Sequence, residues 1–350
     1  MGNKTFHDTT IPSLQLIPAT EAETQMNCMG GRDEPFFFFC NWDASLWFIS
    51  SVAGQSVDEK KGILAGGVAF DFSNKGQRKA AGEDGKAFEW KVRRPERESY
   101  SHSFSVVRGG LMRGDSFLTN LTSASVVETD LSLEEMFQRT DAHYRILVPG
   151  RFVCFSPEIF VRIDNKGRIS SFPMKGTTKA ATPSALSNLM ADEKETAEHA
   201  TIVDLIRNDL SRVAKGVKVG RYRYAEKIKS QFGDIWTTSS EISGTLPADW
   251  HSKIGTIVKR MLPAGSVTGA PKASTVSIIR QAEQSDRGFY TGVCGLFDGQ
   301  TLDSAVMIRF VSLENGEMIF RSGGGITAMS DEESEYDEVA LKTNIPIYDK

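Results

Sequence analysis

The chain alternates between two periods, one of two residues and one near 3.6. Residues 153–163, "VCFSPEIFVRI", alternate like a strand; "NKG" follows as a turn, and "ISSFPM" (169–174) reads as the hairpin partner. "FFFFCNWDASLWFISS" (36–51) predicts one or two buried strands, and "GDSFLTNLTSASVVETD" (114–130) a strand pair. Helical spacing takes over in residues 189–214, with apolar positions at Ile202, Val203, Leu205, Ile206, Leu210 and Val213. A strand-rich stretch to about residue 246 and a helix over 249–262 follow. Next comes a Gly-rich loop, "PAGSVTGAPK" (263–272), entering a helix with Pro271 as its first residue. Two hairpin-like strand pairs span 289–321. Ser132 with Glu135, and Ser330 with Glu333, have the spacing of capping boxes for a short helix and for the last helix. "EWKVRRPERESYSHSF" (89–104) is a charged connection with a helix starting soon after it, while residues 1–60 carry little beyond the aromatic run. Strands and helices mix along one continuous chain, which predicts a single large α+β domain over residues 1–350.

Composition narrows the function classes. With 40% hydrophobic and 25% charged residues, the chain has the mix of a soluble globular protein. A net charge of −4 and the lack of any Lys/Arg tract give no footprint for nucleic acid or an anionic membrane. No apolar run approaches the roughly 18 residues of a membrane-spanning helix. The first ten residues hold no apolar signal-peptide region. Cys28, Cys40, Cys154 and Cys294 are scattered without a CxxC pair, as in a reduced cytoplasmic protein.

Several clusters could carry chemistry. Lys175, in "SFPMKGTTKA", ends a strand before a glycine; it is either ordinary surface charge or an amine aimed into a pocket. Glu335, Glu338 and Lys342 project from one face of the last helix. Gly323, Gly324 and Gly325 directly precede that helix, where bare backbone N–H groups can approach an anion. A solvated, charged helix end is the plainer reading. Glu198 borders the apolar stripe of the long helix, where a carboxylate is costly unless paired or bound to a metal. Hard oxygen ligands from two helices, with waters and a substrate carboxylate, suit Mg²⁺; an arginine-paired structural glutamate is the alternative. His199 beside it reads as a packing histidine. "GSVTGAPK" lacks the phosphate-loop spacing, so a nucleotide is excluded, while its N–H groups at a helix start could hold a carboxylate.

Six segments then occur in a shared order: "PMKGT" (173–177), "AEHATIVDLIRNDLSRVA" (197–214), "LPAGSVTGAPK" (262–272), "RGFYTGVCG" (287–295), "MIRF" (307–310) and "GGGITAMSDEESEYDEVALK" (323–342). Their order resembles the chorismate-utilising enzymes, which include anthranilate synthase component I, aminodeoxychorismate synthase component I, and the isochorismate and salicylate synthases. The resemblance is dense over residues 105–350 and loose over 1–100. It implies two large, mainly antiparallel sheets packed together with helices outside.

The resemblance also implies roles. Aminodeoxychorismate synthases carry Lys at position 175 where anthranilate synthases usually carry Ala. By that likeness Lys175 attacks C2 of chorismate as the 4-hydroxyl departs, and ammonia then enters at C4 and expels the lysine. The role needs a partly deprotonated amine, through desolvation or a neighbouring positive charge. Glu158 matches the general acid–base. Glu198 and Glu338 match Mg²⁺ ligands, with Glu335 in or next to the shell. Arg309, Tyr290, Lys342 and the backbone of Gly323, Gly324 and Gly325 match carboxylate contacts, and Gly176 and Thr177 line the pocket. Ammonia is expected from a separate glutamine amidotransferase subunit, with the product feeding 4-aminobenzoate and folate synthesis. Thr237 stands where the family often has His. Leu118 stands where isochorismate-forming relatives have a lysine that activates water, and no segment like the family's tryptophan pocket is found. The alternatives are anthranilate synthase component I and a non-catalytic binding subunit.

Overall fold

The run of four phenylalanines explains the architecture. In the strand Phe36–Cys40 every residue is buried, and alternate side chains enter two different cores. Phe36 and Phe38 join residues of the helices Ala19–Gly30, Glu193–Ser211 and Ile254–Met261. Phe37 and Phe39 instead meet Phe70, Ile146, Phe152, Cys154 and Phe310 of a second sheet. A strand covered on both faces needs no polar positions, so it reads as a continuous apolar run.

The computed structural model describes residues 14–55, 63–72, 88–140, 142–228, 234–343 and 345. Among these, one antiparallel sheet has ten strands and the other nine, and they pack face to face through the Phe37–Phe39 core. The helix Leu133–Arg139 covers the outer face of the nine-stranded sheet through Leu133, Met136 and Phe137. Arg97–Met112 and Lys272–Ala282 pack on Leu121 and Ile326 of the same sheet. The expected fold class, two mainly antiparallel sheets with helices outside, is the one observed. No helix among the described residues is long and apolar enough to cross a membrane.

Several local expectations are corrected. Residues 118–129 form one strand rather than a pair, because Thr119, Thr122 and Ser125 are buried sheet positions and not turn residues. The long helix is two, Ala185–Ala191 and Glu193–Ser211; extended Asp192 separates them, and its side chain caps the second by accepting from the Glu195 N–H. The Ser132–Glu135 capping box is present. At the last helix, Glu332–Leu341, Asp331 accepts from the Ser334 N–H, while Ser330 accepts from Thr327, so the Ser330–Glu333 box does not form. Pro271 caps its helix from outside instead of opening it, and residues 250–253 begin their helix as a 3₁₀ turn. The three glycines lie within the strand Glu317–Ile326, paired with Asn120, Leu121 and Thr122, and not in a loop.

Two of the links at which the chain crosses between the sheets lie side by side, and these two make the site. Phe152–Ser156 belongs to the nine-stranded sheet and Ile159–Ile163 to the other; Leu302–Val306 and Phe310–Glu314 repeat the switch in reverse. The Val306 N–H donates to the Glu158 carbonyl at 3.1 Å and Phe155 N–H to the Arg309 carbonyl at 3.0 Å, tying the links together.

Candidate active site

A cavity of about 160 Å³ opens at this seam, lined by Glu158, Lys175, Ser266, Tyr290, Arg309 and Lys342, with Asn120, Arg321 and the backbone of Gly323–Gly325. Residues far apart in the sequence therefore meet in one pocket. Lys175 is not surface charge.

Its direction is set by Gly176. In the strand Met174–Lys179, Lys175 pairs with Thr238 but Thr177 pairs with Thr237, so one residue is inserted as a bulge. Gly176 supplies the insertion at φ +78°, a left-handed conformation that an L side chain resists. Thr237 Oγ1 donates to the Gly176 carbonyl at 3.1 Å, and Thr238 Oγ1 donates to that of Lys175. Thr237 and Thr238 thus hold the bulge. Gly176 does not line the cavity, contrary to expectation; a methyl there would meet Leu189 and Glu195. The Thr177 side chain lies outside what the structure describes.

Glu158 sits on the crossover link with a single close donor, Ser266 Oγ. Burial pushes its carboxyl above the ordinary range, against the opposing effects of the Ser266 hydrogen bond and the Lys175 charge. A carboxyl that keeps its proton toward neutral pH can serve as an acid. Arg309, in the second link, is held at φ +54°; its guanidinium donates to the Lys342 carbonyl. Burial lowers the Arg309 pKa and raises that of Tyr290. Lys342 Nζ donates to the Gly323 carbonyl at 2.9 Å and to Glu338 at 2.7 Å.

The glycines make room for these groups. A methyl on Gly325 would stand 3.1 Å from Leu118, 3.4 Å from Lys175 Nζ and 4.0 Å from Glu198 Oε2; one on Gly324 would stand 3.3 Å from Glu335 Oε2. Leu118 therefore packs an apolar side chain directly beside Gly325.

No cluster of three or more ligating side chains occurs among the described residues, although all three expected metal ligands act on the Lys194 ammonium. Glu198 and Glu335 approach a common cation, Lys194 Nζ, at 4.0 and 3.5 Å, whereas Glu338 pairs with Lys342. Burial raises Glu198 above the ordinary carboxylate range despite Lys175. Burial also acts upward on Glu338, but Lys342, with Lys175 and Lys194, brings its net value below the ordinary one. Two oxygen donors already gathered around an ammonium fit Mg²⁺, which commonly takes one or two carboxylates and completes its shell with water and substrate. His199 is fully buried with Nε2 2.6 Å from Ser240 Oγ, but its Nδ1 has no partner, so the packing histidine is only half satisfied. Four groups escaped the sequence reading: Ser266, Asn120, Arg321 and Glu195. Asn120 Oδ1 is buried without a hydrogen-bond partner beside the cavity. Ser266 lay within the singled-out "PAGSVTGAPK" loop, whose carboxylate turns out to be Glu158, reached by a hydroxyl and not by backbone N–H groups.

A family model described as chorismate binding enzyme matches residues 35–347. The chain belongs to that family. Among these chorismate-binding enzymes it is 44% identical over 326 residues to an uncharacterised PabA-like protein of Pasteurella multocida, covering 92% of this chain and 97% of that one. It is 31% identical over 261 residues to aminodeoxychorismate synthase component 1 of Salmonella typhimurium, covering 70% of this chain and 56% of that one. Its fold is shared with anthranilate synthase component I from Streptococcus pneumoniae at a TM-score of 0.67 and 23% identity, over 88% of this chain and 79% of that one.

Proposed function

We propose that this chorismate-binding enzyme converts chorismate and ammonia to 4-amino-4-deoxychorismate, with ammonia delivered by a separate glutamine amidotransferase subunit in the cytoplasm and the product used for 4-aminobenzoate and folate synthesis. The observation that carries the reading is the lysine bulge: Lys175 shares a cavity with Glu158, whose carboxyl burial shifts toward the protonated form. Lys175 forms an N–C2 bond to chorismate while the C4–O bond breaks, and the Glu158 proton leaves with the hydroxyl as water. The amine gives up its own proton in that step. Ammonia then forms a bond at C4, both ring double bonds shift back, and the C2–N bond to Lys175 breaks, the proton lost by ammonia passing to the departing lysine amine. The carboxyl groups of Glu158, Glu198 and Glu338 all feel the charge of Lys175; with Glu158 serving as the acid, Glu198 and Glu338 are the bases that can accept the amine's proton. Arg309, Tyr290 and Lys342 hold the substrate carboxylates, with Arg309 suited to a two-pronged contact.

Glu198 and Glu335, with Glu338 beside them, would hold Mg²⁺, which when bound neutralises a ring carboxylate. The anthranilate reading has the same pocket but leaves Lys175 without a task. Products separated by mass after incubation with chorismate, Mg²⁺ and ammonium chloride at alkaline pH test the proposal. Aminodeoxychorismate without pyruvate is expected; anthranilate with pyruvate would overturn it.

A further inference from the structure

Behind the wall of the pocket lies a buried ion pair that the proposed chemistry does not use. Arg287 and Glu283 have side chains 1% and 6% exposed. The guanidinium gives Nε to Glu283 Oε2 at 2.8 Å and Nη2 to Glu283 Oε1 at 2.6 Å. Its remaining donors go to the Val267 carbonyl at 2.8 Å, the Asn120 carbonyl at 2.7 Å and, more weakly, Thr291 Oγ1 at 3.4 Å. Glu283 Oε1 also accepts the Thr122 N–H at 2.8 Å. The Trp42 ring covers the guanidinium at 4.5 Å.

The fork thus joins three walls of the pocket: the strand Leu118–Thr129, the turn Gly265–Val267, and the 287–291 segment that carries Tyr290. On its far side the same pair lines a second cavity of about 240 Å³, so it is a partition as well as a clamp. Fold stability does not account for such a pair, because well-packed apolar residues of similar volume usually do as well. A planar guanidinium with fixed donor directions does something they cannot, which is to fix three backbone segments at one geometry. Val267, whose carbonyl is gripped, is the residue after Ser266, and Ser266 is the hydroxyl that donates to Glu158.

We infer that the Arg287–Glu283 pair is a positioning pair that holds the Ser266 hydroxyl on Glu158 and thereby governs proton delivery in the pocket. The inference rests on the amination reading for its catalytic meaning, while its geometry can be tested apart from turnover. Glu158 faces Ser266 from the turn and Lys175 from the bulged strand; Tyr290, Arg309, Arg321 and Lys342 line the same cavity. Since the Ser266 hydrogen bond favours the ionised form of Glu158, losing the clamp should let Glu158 keep its proton to higher pH.

The test compares wild type, S266A, the space-filling pair E283L/R287M and the triple variant. Two readouts are taken: the titration of Glu158 by ¹³C NMR, and the pH at which kcat for amination falls on the alkaline side. Both midpoints should move to higher pH in S266A and in E283L/R287M. The triple variant should move no further than S266A alone, with KM for chorismate changing less than kcat. A folded pair variant whose midpoint stays at the wild-type value, or whose shift adds fully to that of S266A, overturns the inference. If the pair variant does not fold, R287K keeps the charge and loses the fork, and an unmoved Glu158 titration there overturns it equally. A wild type that binds chorismate without aminating it sinks the functional reading alone, and the Glu158 titrations still decide the clamp.

Discussion

Replacing Gly176 by Ala tests whether the bulge aims Lys175. At φ +78° an L residue in the left-handed region costs roughly 1–2 kcal/mol. The new methyl would also stand 3.0 Å from Leu189 Cδ1, 3.1 Å from Glu195 Oε2 and 3.5 Å from Thr238 Oγ1. Leu189 is buried and can shift little, so crowding adds roughly 1–3 kcal/mol. The fold has two responses. It can keep the bulge and lose roughly 2–5 kcal/mol in all, or it can straighten the strand. Straightening by one residue turns the side chains on one side of the bulge to the other face, and turning those of Met174 and Lys175 carries Lys175 away from Glu158. Either way urea denaturation should report a lower midpoint with an unchanged slope, and amination should fall with it. Thr237→Val is the gentler companion. It removes the hydroxyl that donates to the Gly176 carbonyl without touching φ, and should cost about 1 kcal/mol. If Gly176→Ala keeps both its denaturation midpoint and its turnover, the bulge is not what positions the lysine.

Four further outcomes are expected. Glu158→Gln should lower kcat by roughly 10²–10⁴-fold and abolish the alkaline fall in the kcat profile, because the acid works only below its raised pKa. The same substitution should stabilise the fold at neutral pH: a carboxyl raised on folding contributes stability at low pH that is lost as pH rises through its folded value, and thermal unfolding of both forms across pH checks this. Lys272 and Asp209 form a buried pair at 2.6 Å, so Lys272→Met or Asp209→Leu alone should cost about 3–5 kcal/mol and the double variant much less, as measured by urea denaturation. Glu198→Gln should abolish the Mg²⁺-dependent rise in thermal midpoint that chorismate produces in the wild type, a readout independent of turnover.

How much of this could be read in advance follows a physical division. Periodicity located most elements, because burial of one face writes itself into neighbouring residues. It failed at 118–129, where small polar residues occupy buried sheet positions and imitate a turn, and at Asp192, which looked like one more polar helix position and is a cap. Lys175, Tyr290, Arg309 and Lys342 stand in recognisable motifs and Glu158 was added by the resemblance, so all five could be picked as candidates, and the structure brings them to one cavity. Their second partners were not. Ser266 meets Glu158 across 108 positions and Arg287 meets Asn120 across 167, and no local pattern encodes pairings set by the packing of two sheets. Gly176 was read as room for a ligand; a glycine alone does not say whether its lack of a side chain serves an approach or a backbone angle. The resemblance names Glu198 and Glu338 as metal ligands with Glu335 in or next to the shell, but it says nothing of their ion pairs, Glu198 and Glu335 with Lys194 and Glu338 with Lys342.

The most direct test of the lysine's role is the mass of the intact protein after brief mixing with chorismate and Mg²⁺ in the absence of ammonia, followed by acid quench and peptide mapping. An adduct equal to chorismate less one water, mapped to Lys175, lost in Lys175→Ala and discharged by ammonia, is the expected result. Full turnover by Lys175→Ala, or an adduct on any other residue, would contradict the covalent role assigned to this amine.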